Sequence, residues 1–256
     1  MKTTISKMII CMLALSTSAI AQNKITEFEQ TIKTGKAKNI EALIHITGGE
    51  LSIKGGTNDL AHAKLTYDKY DWSPSVSYTE KDDFGKLIIK ASTEGDEKRI
   101  DDDNKCFITL NDKYNYSLGV VLGAGLANID LEGFNIKKAL FKLGVGTFNV
   151  NLANASLLFL KIEAGVGEAN FDLSGNYKND LKVQINAGIG QFNVTVPGNI
   201  GVKFIVKGFL GDVKTPGYKK SGNEYTNALY GNTKHSIVVK INGAIGTINI
   251  KEDKLY

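Results

Sequence analysis

The stretch GVGTFNVNL, residues 144–152, decides the fold because close copies of it recur along the chain. GAGLANIDL precedes it at 123–131, GVGEANFDL and GIGQFNVTV follow at 165–173 and 188–196, and GAIGTINI ends the series at 243–250. Steps of 21, 21, 23, 21 and 35 residues separate the aligned glycines, which are Gly125, Gly146, Gly167, Gly190, Gly211 and Gly246. Spacing near 21 residues predicts a solenoid or a stack of similar units.

Apolar and polar residues alternate on both sides of each aligned glycine. Phe148 and Val150 share one parity after Gly146, and Leu160 and Ile162 share one parity before the next glycine. A period of two predicts strands with one buried face. A unit of two short strands cannot bury its own apolar faces, but units stacked in parallel, about 4.8 Å apart, can. We therefore predict an all-β fold, a parallel β-solenoid-like stack of two-strand units.

The aligned glycines are predicted to lie at a bend where a side chain would clash or where φ must be positive. Gly49, in the related phrase ITGGELSI, is predicted to have the same role. The longest step is explained by an insertion, PGYKKSGNEYTNALYGN, whose residues are typical of turns.

An asparagine follows five of the aligned glycines at the same distance: Asn128, Asn149, Asn170, Asn193 and Asn249. One amide repeated at one position of each unit favours a structural ladder, in which side-chain amides bond from unit to unit. A row of amides that binds a sugar is the alternative. Ser52 and Lys214 occupy the same position in two other units and interrupt the row.

The first residues have the pattern of a secretory signal. Lys2 and Lys7 precede a short apolar run, and Ala19-Ile20-Ala21 is a small-x-small cleavage site. We predict residues 1–21 as a signal peptide, with no further transmembrane candidate. Cleavage would reduce the formal net charge from +4 to +2, which argues against a general nucleic-acid surface.

Three further regions are predicted after the signal. Residues 22–39 form a lead segment with a weak helical period, 40–112 a first β unit with an inserted β-meander, and 113–256 the repeat domain. The meander is predicted to have strands at 63–67, 75–78 and 86–91, with turns at DWSP and KDDFG. Tyr70 and Trp72 are predicted to pack at its edge, and a carbohydrate-stacking platform is the alternative.

The sequence offers little catalytic chemistry. His45, His62 and His235 lack metal-ligand spacing, and no third glycine completes a dinucleotide-binding motif. Asp101–Asp103 are consecutive, unlike the spaced ligands of a calcium loop, and are interpreted as a solvated loop. Cys106 would be the single cysteine after cleavage and is predicted to be a buried hydrophobe. We predict no catalytic residues, no metal site and no cofactor.

Long stretches resemble a known family. LNDKYNYSLGVVLGAGLANIDLEGFNIKKALFKLGVGTFNVNL, KIEAGVGEANFDLSGNYKNDLKVQINAGIGQFNVTVP and TPGYKKSGNEYTNALYG resemble the bacterial envelope family called toast-rack. They are also similar to the C-terminal domain of LiaF-like cell-wall-active-antibiotic response proteins, although this chain lacks the membrane helices of those proteins. The resemblance implies an all-β parallel stack outside the cytoplasm and a link to cell-envelope stress, and it supplies no catalytic residues.

Three functions are compatible with these features. The leading hypothesis is a non-catalytic exported protein, in the periplasm or at the cell surface, that binds an envelope protein or glycan. One alternative is a polysaccharide-active β-solenoid enzyme, which would need two or more acids on one outward face. The other is a purely structural or adhesin-like surface protein that forms homo-oligomers through the ends of the stack.

Overall fold

The computed structural model describes residues 25–68, 72–92 and 104–253, so the predicted signal peptide, Tyr70 and Asp101–Asp103 lie outside the described residues. The 14 strands found among these described residues belong to one sheet. The strands are β1 Ile25–Ile32, β2 Asn39–Gly55, β3 Ala61–Asp68, β4 Ser73–Lys81, β5 Phe84–Ser92, β6 Lys105–Leu110, β7 Asn115–Asp130, β8 Ile136–Asn151, β9 Phe159–Asp172, β10 Leu181–Pro197, β11 Gly201–Lys214, β12 Lys219–Ser221, β13 Glu224–Thr226 and β14 Ser236–Asp253.

Seven long strands form the centre of the sheet, in the order β2-β7-β8-β9-β10-β14-β11. Every neighbouring pair among them is parallel, and the aligned glycines stand beside each other across the sheet. The predicted all-β parallel stack is confirmed. The two strands predicted for each unit are one continuous strand, bent at the glycine.

Each long strand has two arms, which we define as the residues before and after its aligned glycine. Apolar side chains of both arms point into one interior. Phe141 on the first arm of β8 meets Phe171 on the second arm of β9 edge to face, with ring centroids 6.0 Å apart. Both rings are almost fully buried. The bend therefore lets one strand cover two sides of the core, which no single unit could enclose alone.

The bend explains the glycines. Gly167 has φ +135°, and a Cβ built on it would lie 1.9 Å from the carbonyl oxygen of Gly146 in the neighbouring strand. The other aligned glycines have φ between +131° and +145°. Gly49 has φ +99° and pairs with Gly125, as predicted. Both predicted reasons for glycine, the backbone conformation and the lack of space, hold at this row.

The last repeat is not last in space. β14 inserts between β10 and β11, so that Gly246 stands between Gly190 and Gly211. The inserted segment 215–235 carries the short hairpin β12–β13. Because β13 pairs with the first arm of β11, this hairpin extends the sheet beyond the last long strand.

Two predictions about the N-terminal region are wrong. The lead segment is not helical, since residues 25–32 form β1, whose Phe28 and Ile32 pack against the core. The three strands predicted after residue 60 exist, but they do not form a meander: β4 pairs with β5, whereas β3 pairs with β1 and β6. Each arm of β2 needs a neighbouring strand to cover the core. The first arm pairs with β5, and the second arm pairs with β6.

The prediction for Cys106 is confirmed, because its side chain is fully buried. Burial raises the pKa of the Cys106 thiol to about 12. The thiolate is the reactive form, so a maleimide at pH 8 should fail to modify Cys106 in the folded protein and should react with it fully in urea. Rapid modification of Cys106 in the folded protein, located by mass spectrometry, would contradict this burial.

Candidate functional site: a groove over an asparagine ladder

The repeated asparagines form a ladder across five neighbouring strands. From Asn149 onward, the side-chain amide nitrogen of each asparagine donates to the amide oxygen of the asparagine before it. These nitrogen–oxygen distances are 3.0 Å for Asn149 to Asn128, 2.9 Å for Asn170 to Asn149, 2.6 Å for Asn193 to Asn170 and 2.7 Å for Asn249 to Asn193. A ladder of side-chain amides is thus present, and Asn170 takes part in two of its bonds.

The ladder lies on the floor of a groove, which we call the amide groove. This groove follows the outward face of the second arms from β2 to β11 and has a volume of about 960 Å³. Ser52 and Lys214, which interrupt the amide row, line its two ends. The asparagines that bond to one another therefore also line the groove. The two alternatives from the sequence, a structural ladder and a row of amides that binds a sugar, concern the same surface.

The ladder leaves hydrogen-bonding capacity free. A side-chain amide has two N–H donors and an oxygen with two lone pairs. An inner member such as Asn149 or Asn170 uses one donor and one lone pair on its neighbours. One donor and one acceptor of each therefore remain for a ligand, and the ladder already holds the amides in place. Pre-organised groups lose less entropy when a ligand binds.

A second row of polar residues in the amide groove has a structural role. Asp172 Oδ1 accepts a hydrogen bond from the Ser174 N–H at 2.8 Å, and Asn151 Oδ1 accepts one from Ala153 at 3.0 Å. Such bonds are typical of turns that begin at Asp or Asn. Asp130 occupies the same row and accepts the side-chain N–H of Asn151 at 3.0 Å. This row was not predicted, although Asp or Asn recurs two places after three of the ladder asparagines.

The other candidate residues are dispersed. His45 is exposed on β2, His62 lies 3.4 Å from Glu29, and His235 lies 3.9 Å from Asp180. Among the described residues, no three His, Cys, Asp or Glu side chains come together as a metal site would require.

Glu163 lies on the first arm of β9, outside the amide groove. It contacts Lys161 and also lies 3.4 Å from Lys142. Hydrogen bonding from Lys161, then from Lys142, lowers the pKa of the Glu163 carboxyl. A carboxyl held in the ionised form cannot serve as the general acid that glycoside cleavage needs.

Trp72 does not form an open carbohydrate platform. Its side chain is buried, and its ring stacks on Tyr67 with centroids 6.3 Å apart and planes 20° apart. It therefore packs within the N-terminal part of the core.

Comparison with known sequences identifies the family. The family model described as the N-terminal domain of toast_rack, DUF2154, matches residues 21–157 and 140–195, which together span more than half of the chain. The chain belongs to the toast-rack family. No curated protein matches this toast-rack sequence. In the described part of the chain, no helix has the length and apolarity needed to cross a bilayer.

Solved structures similar to this toast-rack chain include a candidate cell adhesion protein from Clostridium sporogenes ATCC 15579. The two sequences are 31% identical, and the match covers 90% of this chain and 100% of that one, with a TM-score of 0.67. A candidate adhesin from Bacteroides fragilis NCTC 9343 is 12% identical, with 89% and 97% of the two chains covered and a TM-score of 0.34. A candidate lipid binding protein from Parabacteroides distasonis ATCC 8503 is 12% identical, with 88% and 97% covered and a TM-score of 0.29.

Proposed function

We propose that this protein is an exported, non-catalytic envelope module that binds an extended, neutral glycan in the amide groove. The observation that carries this proposal is the position of the ladder, which presents fixed donors and acceptors along the floor of the amide groove. Hydroxyl groups of a sugar both donate and accept hydrogen bonds, so they match a surface of neutral amides. The candidate adhesion role of the Clostridium sporogenes relative is compatible with surface binding.

Charge supports a neutral ligand. In the amide groove, Lys54 stands beside Asp130 at the β2 end, Asp172 lies in the middle, and Lys214 and Lys251 lie towards the β11 end. A strongly anionic polymer would meet the carboxylates, and a strongly cationic one would meet the lysines. The proposed location is the periplasm or the cell surface. The link to envelope stress comes from resemblance alone and stays a prediction.

A glycan array that includes soluble peptidoglycan fragments tests the proposal. The protein should bind a linear glycan, and Asn149→Ala should weaken this binding at least about tenfold, the scale of one lost hydrogen bond with its desolvated partner. Asn242→Ala is the matched control, because Asn242 donates to Asn186 at 3.3 Å in an amide pair on the first arms, outside the groove. Equal weakening by both variants, or no glycan binding at all, would overturn the glycan proposal and favour a purely structural role.

A polysaccharide-active enzyme is the second candidate, because Asp130 and Asp172 stand on the same outward face two strands apart. That spacing, roughly 10 Å between strands, is near the separation of the two carboxyl groups in inverting glycosidases. On the strand between them, Asn151 occupies the same row, and its side-chain oxygen also accepts a backbone N–H of the turn that follows. An amide at this position indicates that the row needs a hydrogen-bond acceptor and not an acid. Release of reducing ends from a bound glycan, abolished by Asp172→Asn, would establish the enzyme instead.

A further inference from the structure

The two ends of the stack differ. At the N-terminal end, β1 and β4 come into contact, and the Lys36 N–H donates to Glu80 of β4 at 3.0 Å. At the C-terminal end, β13 pairs with β11 only from Lys203 to Ile205, and the N–H of Val206 donates to Asn223 at 2.9 Å. Beyond that point, β11 pairs with β14 on one side and, within the part of the chain that the structure describes, with no strand on the other.

This unpaired side of residues 207–214, which we call the open edge, exposes backbone hydrogen-bonding groups. In a parallel ladder, bonds to one neighbour use about half of the N–H and C=O groups of a strand, and the rest point to the opposite side. An unpaired row of such groups is a template for another strand. Eight residues at about 3.3 Å each give the open edge a length of roughly 26 Å along the chain, with a bend at Gly211 that the added strand would have to follow.

The side chains at the open edge are also incompletely covered. Leu210 ends a row of exposed aliphatic residues that crosses the bends of five neighbouring strands. It is 69% exposed, whereas Val145, Val166, Ile189 and Ile245 are between 47% and 55% exposed. Phe209 and Val213 are only partly buried although they pack against the core. One more strand beside β11 would cover Phe209, Leu210 and Val213, in the same way that neighbouring strands cover the corresponding side chains of the other long strands.

Lysines mark both ends of the open edge. Lys207 and Lys214 are exposed, and neither forms an ion pair with the described residues. Edge lysines are a common protection against pairing between identical edges. If two copies paired antiparallel over all eight residues, Lys207 would stand opposite Lys214 of the other copy, and like charges directly opposite are destabilising.

The hairpin β12–β13 also obstructs a second copy. It extends the first-arm side of the sheet two strands beyond β11, a step of roughly 10 Å. A second stack placed against the open edge would meet this step, whereas a single extended segment fits beside it.

We propose that the open edge binds an extended segment of a partner protein, which adds to the sheet as a strand. The segment has apolar residues at its centre, which cover Phe209, Leu210 and Val213, and a carboxylate near each end, which pairs with Lys207 and Lys214. This mode uses backbone hydrogen bonds for affinity and side chains for specificity. The open edge shares Lys214 with one end of the amide groove, but it recognises a strand through backbone groups and apolar contacts, so the absence of peptide binding would leave the glycan proposal untouched.

A synthetic peptide can serve as the probe. Residues 241–250, INGAIGTINI, already pair with β11 on its other side, where Lys207 stands beside Asn242 and Lys214 beside Asn249. The acidic probe is this peptide with Asn242→Glu and Asn249→Glu, and the control probe has Lys at both positions. By isothermal titration, the acidic probe should bind about tenfold more tightly than the basic one, on the scale of two cross-strand charge pairs.

The double variant Lys207→Glu, Lys214→Glu of the protein should reverse this preference. The matched control Lys137→Glu, Lys138→Glu, which changes exposed lysines of β8 far along the stack, should leave it unchanged. Three results would overturn the proposal: no saturable binding of either probe, equal binding of both, or self-association of the protein in sedimentation that Lys207→Glu alone disrupts, which would assign the open edge to a second copy.

Discussion

Gly167→Val is expected to destabilise the protein by roughly 4–5 kcal/mol or to prevent folding, which is in the range of severe core and backbone defects. The new Cβ would lie 1.9 Å from the carbonyl oxygen of Gly146. This backbone atom cannot move without breaking the backbone hydrogen bonds that pair β8 with β9. A β-branched residue is also strained at the φ of +135° found here. Urea unfolding followed by circular dichroism measures the loss.

Gly56→Ala separates the two causes of this loss. Gly56 also has a large positive φ, +115°, but a Cβ there would meet nothing within 4 Å. Its substitution should therefore cost only the conformational part, about 1–3 kcal/mol. If Gly167→Ala costs no more than Gly56→Ala, the close approach of neighbouring strands does not explain the glycine row.

The repeat made the centre of the fold predictable. The alternation of Phe148 and Val150 identified the buried face, and the spacing of the glycines placed equal residues side by side in parallel strands. The bonds between Asn149, Asn170 and Asn193 follow from that register alone. Local pattern and tertiary structure agree here because each unit has nearly the same neighbours as the next.

The exceptions lie where the neighbours differ. Thr26 to Ile32 has too few apolar residues to distinguish a strand from a helix, and pairing with β3 decides in favour of a strand. The pattern located β3, β4 and β5, but it could not assign them to the two arms of β2. Likewise, the spacing of Gly246 indicated an insertion. It could not indicate that β14 returns to lie between β10 and β11.

The amide groove was only partly predictable for a related reason. The sequence identified the ladder residues and offered a structural role or a sugar site as alternatives. The groove is lined by residues from all seven long strands, and a surface of that extent cannot be read from one unit. The turn-forming Asp130, Asn151 and Asp172 escaped notice because their role depends on the loop that follows each strand.

Asn170→Ala is expected to lower the free energy of unfolding by about 1–2 kcal/mol, because it removes two ladder bonds worth about 1 kcal/mol each. Asn170 donates to Asn149 at 2.9 Å and accepts from Asn193 at 2.6 Å. The loss should stay below the full sum, since the Asn193 amide also lies 3.3 Å from Glu168 and can keep that partner. Asn242→Ala, which removes one longer bond outside the ladder, should cost less in the same urea titration.

The same variant connects stability with binding. If the amide groove binds a glycan through the ladder, Asn170→Ala should weaken glycan affinity in the folded protein as well as destabilise it, because the remaining amides lose both their register and a contact. A loss of stability with unchanged affinity would leave the ladder as a structural device and place the glycan elsewhere. Unchanged stability would contradict the ladder itself, since two short bonds between neighbouring strands would then contribute nothing measurable.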